Sequence, residues 1–237
     1  MFYYISLFFA VFALSTSAIF VKLADAPPAI TAFYRLFFAM LVLLPFLLAQ
    51  KSLRQELTSL SKKQWGLGIL SGLFLSCHYV LWFESLNYTS VASSTVIVTL
   101  QPLFSLIGSY FLFKERFSKG AIVGCFVAII GYGSSSIFLA VYALFMKESF
   151  FDYSASTWWS LVGLAVIATI FGQTIFNWLL KWLSTTVISM SILGETIGTC
   201  ILAYFILDEM ISVQQGIGIV VILLGLALFL LQQRKSV

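Results

Sequence analysis

LNYTSVASSTVIVTLQPLFSLIGSYFLFKERFSKGAIVG, residues 86–124, decides the fold, because LKWLSTTVISMSILGETIGTCILAYFILDEMI, residues 180–211, repeats its pattern. Sliding the chain against itself by 94 residues lays about 65–131 over 159–225. Trp65 then meets Trp159, Leu86 meets Leu180 and Ser90 meets Ser184. Tyr110-Phe111 meets Tyr204-Phe205, and Glu115 meets Glu209. Gly124 and Gly131 meet Gly218 and Gly225. Each copy contains three apolar runs, so a copy that enters a bilayer on one side leaves it on the other.

Outside the repeat the chain is just as apolar. Of 237 residues, 61% are hydrophobic and 9% charged. A soluble domain carries about 45–50% apolar and ~25% charged residues. An ordinary cytosolic enzyme, a secreted disulfide scaffold, a disordered chain and a nucleic-acid binder are therefore excluded. Crossing a bilayer takes about 20 apolar residues in a helix. Hydropathy places spans at roughly 2–22, 28–49, 66–86, 91–113, 120–146, 157–180, 185–207 and 210–232. The expected fold is an all-α polytopic bundle of about eight transmembrane helices. The opening MFYYISLFFAVFALSTSAIF has no basic n-region and too long an apolar run for a signal peptide, so it reads as a retained first span.

Charge placement orients the bundle. With the N-terminus in the cytoplasm, Lys51, Arg54, Lys62, Lys63, Lys114, Arg116, Lys119, Lys181, Arg234 and Lys235 fall inside. Lys22 and Lys147 fall outside, and Arg35 lies within a span. This is the positive-inside pattern. It fits an even number of spans with both termini cytoplasmic, in a multi-pass protein of the cell membrane. The first repeat copy then starts in the cytoplasm and the second outside, an inverted-topology repeat of the kind that builds secondary transporters.

The two halves are unequal. Two spans, 2–49, precede the first copy, whereas only about 25 residues, from Tyr132 to Trp158, precede the second. In their place 120–146 reads GAIVGCFVAIIGYGSSSIFLAVYALFM, which is either one long tilted helix or a broken one. The natural division puts a five-span first half in 1–133 and a shortened second half, with about three further spans, in 134–237.

Three stretches together resemble the ten-span EamA branch of the drug/metabolite transporter superfamily. The first is STSAIFVKLADAPPAITAFYRLFFAMLVLLP, 15–45, in which a Ser/Thr-rich span leads through a Pro turn to an Arg in the second span. The others are 86–124 and 180–211, where an outgoing helix carries a central Gln or Glu, ends in an acidic residue and is followed by a glycine-spaced helix. The resemblance implies a central cavity between two five-span halves and export of small organic metabolites. The chain departs from it in the sixth- and seventh-span region, where about 50 residues are lacking. A homodimer is one way to close the cavity that this leaves open.

Candidate site residues follow from polar groups inside spans. Arg35, in AFYRLFF, should face the bundle interior, since a charge at mid-helix costs about 2.5–3.5 kcal/mol. It can anchor a substrate carboxylate bidentately, or tie helices together through carbonyls. Glu195 shares a small polar face with Ser191, Gly198 and Thr199, and its repeat partner is Gln101. Glu195 is the proton-coupling candidate; the alternative is a protonated Glu bonded to a neighbouring helix. Thr169, Gln173 and Asn177 are spaced by four and either line the cavity or glue helices. His78 and Trp82, also four apart, share a face of the cavity; the alternatives to a proton-shuttling His78 and a cavity Trp82 are a satisfied packing His and an interface-belt Trp. Gly124, Gly131, Gly218 and Gly225 read as helix-packing positions. Asp208-Glu209 and Lys114-Glu115 read as solvated caps at the membrane surface. Cys77, Cys125 and Cys200 form no CxxC, and the lone His78 completes no metal set, so neither metal nor cofactor is expected.

No GxxxxGK[ST] occurs, so transport energy must come from an ion gradient or the substrate's own gradient. The expected partners are a small-molecule substrate and the lipid bilayer, with no nucleic acid. Catalysis is not expected, since neither a His/Asp cluster nor an acidic loop pair is present. Two functions fit: a secondary transporter working by alternating access, and a non-transporting truncated relative serving as a membrane partner or assembly subunit.

Overall fold

A computed structural model describes residues 2–49, 61–99, 120–179, 182–183, 185–213 and 215–221. Among them the helices are α1 (Phe2–Leu23), α2 (Pro28–Ala49), α3 (Lys62–Tyr88), α4 (Val91–Thr99), α5 (Gly120–Phe145), α6 (Ala155–Gly163), α7 (Gln173–Leu179) and α8 (Thr185–Leu207). A π-helical stretch, Leu164–Gly172, links α6 to α7, and 215–221 are helical as well. Among the described residues, four segments are long and apolar enough to cross a membrane: Phe2–Leu23, Pro28–Pro45, Lys62–Tyr88 and Ala155–Phe176. The protein is an all-α polytopic membrane bundle. Gln101 and Gly225 lie outside the described residues, as does most of the expected 91–113 span.

Local chemistry sets the helix ends. Pro28 opens α2, where its fixed φ suits the first turn and its missing N–H costs nothing. Ser61 and Gln64 form a reciprocal capping box at α3: Ser61 N donates to Gln64 Oε1 at 2.8 Å, and Gln64 N donates to Ser61 Oγ at 3.3 Å. Just past α5 and α8, Lys147 and Asp208 adopt left-handed conformations, with φ of 59° and 53°. Each lets the following residue bond back into the helix: Glu148 N reaches Ala143 O at 3.0 Å, and Glu209 N reaches Ala203 O at 3.3 Å.

The described residues fall into two compact units. The first combines 2–22, 85–99 and the residues from 167 onward. Its core packs Leu7, Ala10 and Leu14 of α1 against Phe176 and Leu179 of α7 and Val187 and Ile188 of α8. Small polar residues make the α1–α8 seam. Ser15 Oγ donates to Glu195 O at 3.1 Å, and Thr199 Oγ1 donates to Ser15 O at 3.1 Å. A Cβ at Gly198 would overlap the Ser15 hydroxyl and lie 2.9 Å from its Cβ.

The second unit combines the described residues of 23–84 with 120–166. Ala29, Ile30 and Tyr34 of α2 pack on Ala143 of α5 and Leu161 of α6. Tyr34 OH also donates to Phe150 O at 2.8 Å. The GYGSSS motif is not a break, because α5 runs through it. Ser134 and Ser136 return their hydroxyls to the carbonyls of Ile130 and Tyr132, each at 2.8 Å. The motif instead seats α5 on α3. A Cβ at Gly72 would overlap Ser134 Oγ and lie 2.8 Å from Gly131 O and 2.9 Å from Ser135 N. One turn further, Ser76 and Ser135 hydroxyls bond at 2.9 Å.

Candidate functional site

Arg35 is buried in the second unit, with 4% of its surface exposed. Its guanidinium carbon stands 4.6 Å from the Tyr79 ring centroid, 5.8 Å from Trp82 and 5.9 Å from Phe83. All three rings come from α3, where residues 79, 82 and 83 share one face at helical spacing. A desolvated guanidinium within ~6 Å of an aromatic face gains about 2 kcal/mol. His78 stacks on Trp82 with centroids 6.1 Å apart and an interplanar angle of 26°. Arg35, His78 and Trp82, expected to be site residues from sequence, therefore gather in one place.

Tyr79 and Phe83 complete that group and were not singled out from sequence. The spacing of Trp82 and Phe83, three and four residues after Tyr79, was the available signal. The chemistry of the cluster is specific. A planar cation held over a ring keeps its N–H donors directed along its own plane, the geometry in which guanidinium receives a carboxylate.

The remaining candidates belong to the first unit. Glu195 is half-buried on α8, one turn before Thr199. The polar face expected to line a cavity is partly spent on packing, since Gly198 and Thr199 press on Ser15. Thr169 is 2% exposed within the π-helical stretch, whereas Gln173, at the start of α7, is exposed. These two do not present one uniform surface. Asn177 lies on α7. Single-turn π geometry recurs at functional sites; here Gly172 ends the stretch, and its Cβ position is 3.0 Å from Leu14 Cδ2.

The glycines differ among themselves. A Cβ at Gly131 would find Ser71 Oγ at 3.9 Å, an ordinary contact, and one at Gly218 would meet nothing within 4 Å. Gly124 lies on α5. Tight approaches are found instead at Gly68, against Ile130, and at Gly72 and Gly198.

Two acidic residues outside the spans are partly buried. Glu209 is not a solvated cap: it is half-buried, and its Oε2 accepts from Val91 N at 3.0 Å. Glu148, in the connection after α5, has a buried Oε2 with no hydrogen-bond partner among the described residues. Burial, and then the charge of Glu84, pushes its carboxyl above the usual carboxylate range.

A model of the EamA-like transporter family matches residues 1–136 and again 131–231. The chain belongs to this family. Its two matches cover the two repeat copies read from the sequence. An uncharacterized transporter of Haemophilus influenzae is 26% identical over 187 residues, which are 77% of this chain and 56% of that protein. The chain thus spans about half the length of this curated relative. A protein of known crystal structure shares the fold at a TM-score of 0.62 and 18% identity, covering 97% of this chain and 98% of its own. A multi-pass membrane protein of a transporter family is what the chain is.

Proposed function

We propose that the chain is a secondary transporter that exports small organic metabolites, such as amino acids or drug-like compounds, across the cytoplasmic membrane by alternating access. Residues 1–133 form its first half and 134–237 its shortened second half. The observation that carries this reading is Arg35, a cation buried inside a membrane helix against Tyr79, Trp82 and Phe83. Intramembrane charges are costly and mark substrate or ion pathways. The planar cation suits a carboxylate, and the rings suit an apolar substrate body. Glu195 is the proton-coupling group in this scheme.

A growth panel tests the proposal. Cells expressing the chain are challenged with toxic amino-acid analogues, dipeptides and cationic drugs. Protection against one class, abolished by Arg35→Ala or Glu195→Gln at equal membrane abundance, supports export and names the class. Protection that survives both substitutions removes these residues from the mechanism.

A second reading draws on the chain's spanning only 56% of its curated relative: a partner or assembly subunit that does not transport. An abundant, inserted chain that never protects cells favours it.

A further inference from the structure

Two helices that start on the side assigned to the exterior are fastened to each other by side chains within the first unit. The left-handed Asp208 turns the chain at the end of α8, which delivers Glu209 Oε2 to Val91 N, the first amide of α4, at 3.0 Å. A carboxylate at a helix N-terminus is favoured both by the orphan donor and by the helix dipole. Three and six residues on, Ser212 and Gln215 form a capping box for the helix through 215–221, with Ser212 N donating to Gln215 Oε1 at 2.8 Å. That bond fixes which end of the amide is oxygen. Gln215 Nε2 must then point outward, and it donates to Ser90 Oγ at 2.6 Å and Ser93 Oγ at 3.0 Å. Ser90 Oγ in turn accepts from Ser93 N at 3.2 Å, capping α4. Beneath this cross-cap, Ser94 bonds Ser85 hydroxyl to hydroxyl at 2.6 Å, and Thr95 is 1% exposed.

The segment leading into the second helix thus caps α4, and the α4 hydroxyls in turn hold the amide that caps the second helix. The bonds that fasten them are directional and polar. Such bonds exchange with water at little net cost, whereas an apolar seam such as α1–α7 would have to expose hydrocarbon. Ordinary caps are local to one helix, as Ser61–Gln64 is at α3. A cap shared between two helices couples their positions.

We propose that Glu209 and Gln215 form a releasable latch that closes the outer end of the first unit over Thr95, and that lets go when the transporter opens outward. The opening cycle rests on the transporter reading above, but the latch has a readout that needs no substrate.

In a Cys77→Ser, Cys125→Ser, Cys200→Ala background, Thr95→Cys reports opening through alkylation of intact cells by a membrane-impermeant maleimide. Adding Glu209→Ala with Gln215→Ala should speed alkylation about tenfold or more, the population shift expected for losing a charge-assisted and two neutral bonds. Glu209→Gln, which keeps an acceptor and is the milder variant for folding, should give a smaller rise. Ser61→Ala with Gln64→Ala, which removes a local cap elsewhere, should leave the rate unchanged. Equal rates in the parent and both latch variants overturn the proposal. An equal rise in the Ser61/Gln64 control overturns it too, since the effect would then be general loosening. Absence of flux in every transport assay, with the alkylation pattern as expected, overturns the transporter reading and leaves the latch standing.

Discussion

Arg35→Met should leave the protein about as stable as before while removing transport. Losing the charge relieves an insertion cost of about 2.5–3.5 kcal/mol. It also loses the ring contacts. Tyr79, at 4.6 Å, accounts for about 2 kcal/mol, and Trp82 and Phe83, at 5.8 and 5.9 Å, lie near the limit of the interaction and add about 0.5 kcal/mol each. Set against these ring contacts, the relieved insertion cost nearly cancels, and Met fills much of the vacated volume against the aromatic rings. Thermal unfolding of the purified protein in detergent should therefore shift by less than about 4 °C. Flux of a carboxylate substrate should fall about 100-fold, the loss expected for a bidentate charge-assisted pair. Arg35→Lys, which keeps the charge but not the planar fork, should fall between parent and Met in flux. Unfolding more than about 8 °C early would refute this reasoning and make Arg35 a tie between helices. Parental flux in Arg35→Met would refute it from the other side.

Gly72→Val should lower the unfolding temperature by roughly 5–10 °C, because its Cβ would press on backbone atoms of Gly131 and Ser135 and force α5 off α3, at a cost of about 2–4 kcal/mol; an unchanged unfolding temperature would show that α3 and α5 do not meet there. Glu148 gives a pH dependence: its folded-state carboxyl lies above the ordinary range, so the folded state binds the proton more tightly than the unfolded chain. That contribution is fully present below about pH 4 and is lost as pH rises through the folded value. Unfolding temperature should thus decline as pH rises above about 4, and Glu148→Gln should flatten the decline; the same slope in both proteins would count against the burial of this carboxylate.

The helices were legible because the signal is local. Each apolar run has to satisfy its own backbone bonds in lipid, so hydropathy alone predicts a span at 66–86, and α3 overshoots it by two residues at its end and by four at its start, where the Ser61–Gln64 capping box extends the first turn. What could not be read depended on partners far along the chain. GYGSSS is compatible with a break or with a close helix crossing, and Gly72 and Ser76, some 60 residues earlier, decide between them. Arg35 was recognisable as buried, but the ring that approaches it most closely, Tyr79, sits on another helix. Glu209 was misread for the same reason. Its position past a helix end suggests solvent, while the donor it meets, Val91 N, comes from a segment 118 residues away. The polar face around Glu195 shows the converse limit: helical spacing puts Gly198 and Thr199 on the same side as Glu195, and only the α1 partner Ser15 shows that they are packing residues.

Counterflow in liposomes tests the central claim most directly, because it requires nothing but this chain and a substrate. The purified protein is reconstituted, loaded with an unlabelled compound from the class that protects cells, and given a trace of the labelled compound outside. The account predicts transient accumulation of label above empty liposomes, lost in Arg35→Met protein reconstituted to the same density. Label that enters no faster than in empty liposomes, with correctly inserted protein and every class tried, would contradict it.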